Sequence, residues 1–481
     1  MLPTITVDVG TTSVKLCLFD ASGDPRATSR LATPTTGDGF GEVYDLAELT
    51  AGIERFVLSL DAAERATVRR IAFTGVGESG GLVRGDMSLA SPMILWHDHR
   101  GSGHLDRLGA RERRRVYEVT GLPINANYGL SKVAWAVAHA DDAGDAQWLN
   151  VAEYLAGTLT GDRWSEYSLA SRTMALDLVE RRWSAEIVGL MGLDTSLFPS
   201  LRAAVDGSAI TADAARRLGL GDEVTVHVAG HDHMVGGAGA DLQPGELLNS
   251  TGTTEGLLFV GQRPRLDETA AAAKLANGID CDGEGFTLFA SIPTGGSAFA
   301  TLQGMLSLTA DELTACVDDL ARRYARGAID FDAVPVVLPQ FRGSPPPDKN
   351  AAARGVIAGV RSDTTAADIV LGCFLGMALQ FRDVLGLFDH HPVDRVKVIG
   401  PAAVNPLWLQ LKADLLGVPL SVSRFPEVVS RGAQALASGE VVPWARSEPR
   451  EVEVDPANAE RVAAWAASVA PRWEHMKAMP W

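Results

Sequence analysis

The sequence predicts an α/β protein built from two similar lobes. Three observations carry this. Strand-like and helix-like segments alternate along the chain, the pattern of packed α/β layers. A β-branched strand that enters a Gly-Thr-rich turn and returns as a second strand occurs near residue 10 and again near residue 252. Finally, 481 residues at 46% hydrophobic composition exceed one ordinary domain and can fill more than one core.

The first device begins with Ile5-Thr6-Val7 and ends at Asp8. It turns through Gly10-Thr11-Thr12-Ser13 and comes back over residues 14–19. This is a β-hairpin signal with a short polar turn. The turn offers backbone N–H groups, hydroxyls and Lys15, which suit phosphate oxygens, while Asp8 suits a hydrated Mg2+. An ordinary hairpin explains the same residues, so one copy alone does not decide. Further strands are expected at 70–76, 92–96, 224–230, 246–250, 255–260, 287–292, 395–399 and 419–422. Helical periodicity covers 46–60, 131–139, 211–219, 310–325, 365–388 and 406–417. Residues 343–350, with three successive prolines, form a surface loop.

The second device decides. The strand 224–230 runs into Asp232 and a glycine-rich segment, Gly236, Gly237 and Gly239. Residues 245–250 then lead to Thr251-Gly252-Thr253-Thr254, and a strand returns over 256–260. A duplicated turn is far harder to obtain by chance than a single one. We expect two lobes, residues 1–243 and 244–481, facing one another across a cleft, each with a phosphate loop.

Composition excludes other classes. A net charge of −17 opposes a nucleic-acid or anionic-membrane surface. The basic run at 111–115 is short and reads as a solvated helix face. Cys17, Cys281, Cys316 and Cys373 lie far apart without a Cys-x-x-Cys pair, which suggests reduced thiols. No signal-peptide pattern opens the chain and no apolar run approaches ~18 residues. The expectation is a cytoplasmic protein with a small-molecule substrate and no nucleic-acid or membrane partner, with a homodimer left open.

Several segments in a fixed order resemble the FGGY family of carbohydrate kinases, members of the actin-like ATPase superfamily, over roughly residues 4–440. They are residues 8–15; Trp96-His97-Asp98-His99-Arg100; Lys132-Val133-Ala134-Trp135; Gly230-His231-Asp232; Ser250-Thr251-Gly252-Thr253-Thr254; Gly295-Gly296-Ser297; and Pro406-Leu407-Trp408 with the stretch 413–419. The resemblance implies two actin-like (ribonuclease-H-like) lobes and transfer of phosphate from ATP, with Mg2+, to a sugar or polyol hydroxyl. Gly10, Thr11, Thr12, Ser13, Lys15, Gly252 and Thr253 are then the phosphate-loop residues. Gly295 and Gly296 form a nucleotide-contacting turn. The family's Gly-Gly-Gly-Ala adenine loop is replaced by Gly400-Pro401-Ala402-Ala403-Val404-Asn405, from which Ala402 and Asn405 are carried over as nucleotide contacts. Arg431-Gly432-Ala433 replaces a Gly-Ala-Ala segment, and Glu78-Ser79-Gly80-Gly81 replaces the Gln-Met-His-Gly of xylulokinase-like members.

Phosphoryl transfer needs positioning, charge neutralisation and a group that takes the hydroxyl proton. Asp232 is the expected general base, with a helix cap as its bland alternative. Asp8 and Asp232 are the expected Mg2+ residues. Asp98 and Arg100, two apart, suit vicinal diols, against the alternative of a local ion pair. Trp96 stacks on the sugar or joins the core. Glu78 and His231 complete the substrate set. Glu78, Asp98 and Asp232 make the pocket acidic and favour a neutral, pentulose-like ketose or polyol over a sugar acid, which Arg100 leaves open. Two rival readings remain at this point: a zinc hydrolase using His97-Asp98-His99 and His231-Asp232-His233, and a nucleotide sensor or ATPase of the same fold, favoured by Pro401.

Overall fold

The computed structural model describes residues 1–388 and 393–481. One sheet is made of β1 (Thr4–Val9), β2 (Ser13–Phe19), β3 (Pro25–Ala32), β4 (Arg70–Gly75), β5 (Ser208–Ala209) and β6 (Thr225–His231), in the order β5-β6-β4-β1-β2-β3. The other is made of β7 (Glu246–Thr251), β8 (Glu255–Gly261), β9 (Ala276–Ile279), β10 (Phe286–Ile292), β11 (Arg395–Ile399), β12 (Leu420–Val422) and β13 (Arg450–Val452). Its order is β9-β10-β8-β7-β11-β12-β13. β1 pairs antiparallel with β2 and parallel with β4. β7 pairs antiparallel with β8 and parallel with β11 in the same way. With β9 set aside, both sheets share one strand order and one set of directions. The lobes are two copies of an actin-like fold.

β1 is central, and every residue in it is buried, as the middle of a parallel sheet requires. Ile5, Val7 and Val9 face a core shared with the helices Leu46–Ser59 and Val151–Thr160. Thr4, Thr6 and Asp8 share the other face, over which the helix Val428–Ser438 lies. The chain's C-terminal half thus reaches across to the first sheet. The glycine-rich segment Gly236–Gly239 lies in the helix Asp232–Gly239, where a Cβ at Gly239 would stand 2.1 Å from the Val428 carbonyl. One at Gly432 would stand 2.3 Å from the Val235 carbonyl. Only glycine permits that helix crossing, so Arg431-Gly432-Ala433 serves packing rather than nucleotide.

One expectation needs correction. Residues 92–96 do not form a strand; Ile94 alone bridges to Val43 and Gly80, and Pro92 lacks the N–H that a ladder needs. The helix Ala366–Gly386 is long enough, and apolar enough on average, to cross a membrane, although its uninterrupted apolar run is only residues 369–379. It is buried instead in the second lobe's core, with Phe374, Leu375 and Phe381 fully inside.

Candidate active site

Each hairpin ends in a loop closed by its own glycine. Gly10 N–H donates to Ser13 O at 3.1 Å, and Gly252 N–H donates to Thr254 O at 2.9 Å. Among the described residues, the N–H groups of Thr11, Thr12, Thr253 and Thr254 take no protein acceptor. Such free donors on a tight turn form an anion-binding concavity. The end of β3 steadies the first loop, with Thr33 Oγ1 donating to Gly10 O at 2.8 Å. The second loop rests on Gly295-Gly296, whose N–H groups donate to Thr253 O at 3.1 Å and Gly252 O at 2.8 Å. The N–H donors of Gly295 and Gly296 are spent bracing the loop. A Cβ at Gly295 would stand 2.5 Å from Thr254 backbone, so the brace demands glycine.

Lys15 already has an acidic neighbour. Its Nζ lies 3.4 Å from Glu427 Oε2, just before the crossing helix Val428–Ser438. Pro401 opens a short 3-10 turn, a position at which its missing N–H costs nothing. Ala402 lies against the second loop, its Cβ 3.4 Å from where a Cβ on Gly296 would stand. Asn405 caps the helix Pro406–Leu416, accepting from Trp408 N–H at 3.1 Å, while its buried Nδ2 has no partner.

Asp8 lies near the end of β1, just before the first loop, and Asp232 follows β6, next to His233, whose Nδ1 lies 2.8 Å from Ser250 Oγ at the second loop. Asp232 opens the helix Asp232–Gly239 with His231 as the N-cap, so the cap reading belongs to its neighbour. Asp232 Oδ1 accepts from His233 N–H at 2.7 Å and lies 3.0 Å from His231 Nδ1. Burial pushes its carboxyl up, but the flanking histidines outweigh burial and hold it well below the usual carboxylate range. It is therefore ionised, and 26% of its side chain remains exposed for a substrate to reach. Asp8 behaves oppositely. Burial, reinforced by the charges of Asp232 and Glu427 against that of Lys15, raises its carboxyl to about 7. Its Oδ1 is buried without a hydrogen-bond partner. A strained carboxyl with an orphaned oxygen beside a second carboxylate is the donor set that a hydrated divalent cation relieves.

Of the sugar-reading set, Glu78 and His231 lie together, Nε2 of His231 standing 3.9 Å from Glu78 Oε2. Trp96 is not core: it is partly exposed, and its Nε1–H donates to Thr11 Oγ1 at 3.0 Å. Asp98 and Arg100 are paired with one another, and Arg100 also with Asp38. Arg100 donates to Asp98 Oδ2 at 2.6 and 2.9 Å and to Asp38 Oδ2 at 2.5 Å, with its guanidinium 4.7 Å from the Trp135 ring. Burial opposes ionisation there, yet Arg100 outweighs it and holds both carboxyls low. Most of their hydrogen-bonding capacity is spent on one another. The acidity argument for a neutral acceptor loses Asp98.

The structure adds residues that the sequence did not single out. Asn150 Nδ2 donates to the carbonyls of Val76, Gly77 and Ser79, pinning the segment that carries Glu78. Asn150-x-x-Glu153 is a legible capping box, but its reach across the sheet is not. Arg172 is 1% exposed, with its guanidinium over Phe289 at 5.4 Å. His233 packs on the same Phe289 ring at 4.8 Å, and its Nδ1 lies 2.8 Å from Ser250 Oγ. Lys132 is fully buried, its Nζ donating to Ala126 O at 3.0 Å; burial drives its ammonium down to about 8, against the pull of Glu78 and Asp98.

The zinc reading finds no support. Among the described residues, no three His, Cys, Asp or Glu side chains converge on one point. His99 is instead bound to Asn127 Oδ1 at 2.6 Å.

Comparison with known proteins agrees with the geometry. The N-terminal domain of the FGGY family of carbohydrate kinases matches residues 4–239, and the family's C-terminal domain matches 247–441. A glycerol kinase of Aromatoleum aromaticum is 28% identical over 471 residues, covering 92% of this chain and 91% of that protein. A glycerol kinase of Streptococcus pneumoniae is 25% identical over 461 residues, covering 91% and 89%. In fold, a ligand-bound xylulose kinase of Lactobacillus acidophilus superposes with a TM-score of 0.87 at 17% identity, covering 99% of each chain. Plasmodium falciparum glycerol kinase with ADP superposes with a TM-score of 0.84 at 17% identity, covering 98% of each.

Proposed function

This chain belongs to the FGGY family of carbohydrate kinases, phosphotransferases that act on alcohol groups, and on that premise we propose that Asp232 is the base of an ATP-dependent transfer to a hydroxyl of a small sugar or polyol. The observation that carries this is the placement of one exposed, ionised carboxylate beside two hairpin loops with unused N–H donors. The loops hold phosphate oxygens, one from each of the proposed lobes 1–243 and 244–481. Asp232 takes the acceptor proton as the γ-phosphoryl leaves ATP. Asp8, with Asp232, would hold Mg2+ through water; when bound, the ion neutralises phosphate charge. Trp96 ties the acceptor wall to the first phosphate loop, so acceptor and nucleotide are positioned together. Two acceptor types fit the pocket: a neutral ketose or polyol of pentulose size, and a sugar acid of similar length. The reaction's need for ATP suits a cytoplasmic setting. No observation favours a sensor that has lost transfer chemistry, because Pro401 costs its turn nothing.

The test is a coupled ADP-release screen with Mg-ATP over ketoses, alditols and aldonic acids. Release that depends on one acceptor series supports the reading. ATP hydrolysis at one rate with and without every acceptor would overturn it.

A further inference from the structure

Asp232 is aimed by the two residues before it, and the hold on those residues is buried. Gly230 has φ at +122°, a backbone that favours glycine, and the pairing of β6 with β4 shifts register between Val228 and Gly230. An irregularity of this kind re-aims the side chains that follow it. The peptide between Gly230 and His231 leaves the kink with both of its polar groups on side-chain hydroxyls. Thr74 Oγ1 donates to Gly230 O at 2.7 Å, and His231 N–H donates to Ser168 Oγ at 2.9 Å.

Ser168, in the short helix Tyr167–Ser171, uses its whole hydrogen-bonding capacity. Its O–H donates to Glu166 Oε2 at 2.5 Å, and its second lone pair takes the Cys281 thiol at 3.6 Å. Glu166 Oε2 also accepts from the N–H groups of Ser168 at 2.9 Å and Leu169 at 3.1 Å, which fixes where the serine stands. Thr74, Glu166 and Cys281 are 0% exposed and Ser168 is 1% exposed. Buried this deeply, they touch no ligand. A Cβ at Gly230 would stand 2.5 Å from Ser168 Oγ, 2.8 Å from Cys281 Sγ and 2.9 Å from Glu166 Oε2. The glycine lets the cluster close onto the strand end.

That strand end opens into the site. His231 Nδ1 lies 3.0 Å from Asp232 Oδ1, and its Nε2 lies 3.9 Å from Glu78 Oε2. A turn of the 230–231 peptide would therefore swing the base and its histidine together. Such a turn would strip a buried N–H and a buried C=O of their partners, which is costly. The two hydroxyls resist it.

We propose that Ser168 and Thr74, with Glu166 behind the serine, are positioning residues for the base. They touch no reacting atom and act by fixing the 230–231 peptide, so that the Asp232 carboxylate meets the acceptor hydroxyl. This rests on the reading of Asp232 as the base.

The experiment measures single-turnover transfer from Mg-ATP to the fastest acceptor among ketoses, alditols and aldonates. Rates are counted per folded molecule, with ADP binding by calorimetry and the melting temperature alongside. Ser168→Ala should slow transfer by ~10–100-fold, the cost of a small misplacement of a reacting group. ADP affinity and the ATP KM should stay within about twofold. Thr74→Val keeps the side chain's shape and should slow transfer by ~3–10-fold. Glu166→Ala should lose rate as Ser168→Ala does, and Glu166→Gln, whose amide oxygen replaces Oε2, should recover most of it. In an Asp232→Asn background, Ser168→Ala should change the residual rate by less than about twofold, because residues that act through one group are not additive.

Wild-type rates per folded molecule in both Ser168→Ala and Thr74→Val would overturn the proposal, whatever the melting temperatures. So would a loss in the Asp232→Asn background equal to the loss in wild type, since the serine would then act elsewhere. Where Ser168→Ala does not fold, Thr74→Val decides by the same criteria. Asp232→Asn alone at the wild-type rate would sink the base reading, and the positioning role with it.

Discussion

The two hairpins that carry the phosphate loops share a scaffold and differ in where they put their charges. In the first, Asp8 stands on the incoming strand with an unpartnered oxygen and a carboxyl pushed up to about 7. In the second, Glu255 opens the returning strand and is 0% exposed, with its Oε2 2.7 Å from Lys412 Nζ. Asn249 joins that pair, its Oδ1 accepting from Lys412 at 2.7 Å, and the ammonium lies over the Phe381 and Trp408 rings. Glu255 Oε1 is also buried without a hydrogen-bond partner, so the difference lies in charge: Glu255 has an ion-pair partner inside the protein and Asp8, among the described residues, has none. On the proposed reading, a duplicated fold gives its charged chemistry to one copy and uses the other to present backbone.

That contrast can be broken by mutation. The largest effect should come from Asp8→Asn, which should lower kcat on the order of 10²–10³-fold, as the loss of one preorganised electrostatic contact does. Its melting temperature should hold or rise, because an unsatisfied charge is gone. Lys412→Met should do the reverse. Leaving Glu255 buried and unpaired should cost ~3–5 kcal/mol of stability, read by denaturant melts, while the folded fraction keeps its kcat. A stable, inactive Lys412→Met would erase the distinction between the lobes.

A pH titration sharpens it. Burial raises Glu153 in the first lobe to about 7, and no cation pairs with it among the described residues. A carboxyl raised on folding contributes stability that is complete below its ordinary value near 4.5 and is lost as pH rises through about 7. Stability should therefore decline over that window, and Glu153→Gln should flatten the decline. The smallest effect separates the loop glycines. A Cβ at Gly10 would meet Ser13 O at 2.9 Å, whereas one at Gly252 meets nothing nearer than 4.0 Å. Gly252→Val should raise the ATP KM by roughly tenfold with the fold intact, because only the ligand needs that space. Gly10→Val should also lower the melting temperature.

The scaffold was legible because strands and tight turns are local. The two hairpins, the helix Ala310–Ala325 and the prolines of the 343–350 loop can all be read from a few adjacent residues. The strand β3 was missed because it is polar and mostly exposed, without the alternation that marks a half-buried strand. The site was legible only where its residues belong to those turns. Asp98 and Arg100 seemed free because Asp38 is 62 residues from Arg100 in sequence. Arg172 gave no signal because a lone arginine after a short helix looks like any surface residue until its burial is known.

The central claim is that Asp232 takes the acceptor proton. The direct measurement is single-turnover phosphoryl transfer by Asp232→Asn, alongside nucleotide binding and melting temperature. The amide keeps the side chain's shape but cannot accept the proton. We predict a fall of ~10²–10⁴-fold in the chemical step, with ATP affinity and melting temperature nearly unchanged. A variant that transfers phosphate at close to the wild-type rate would contradict the account.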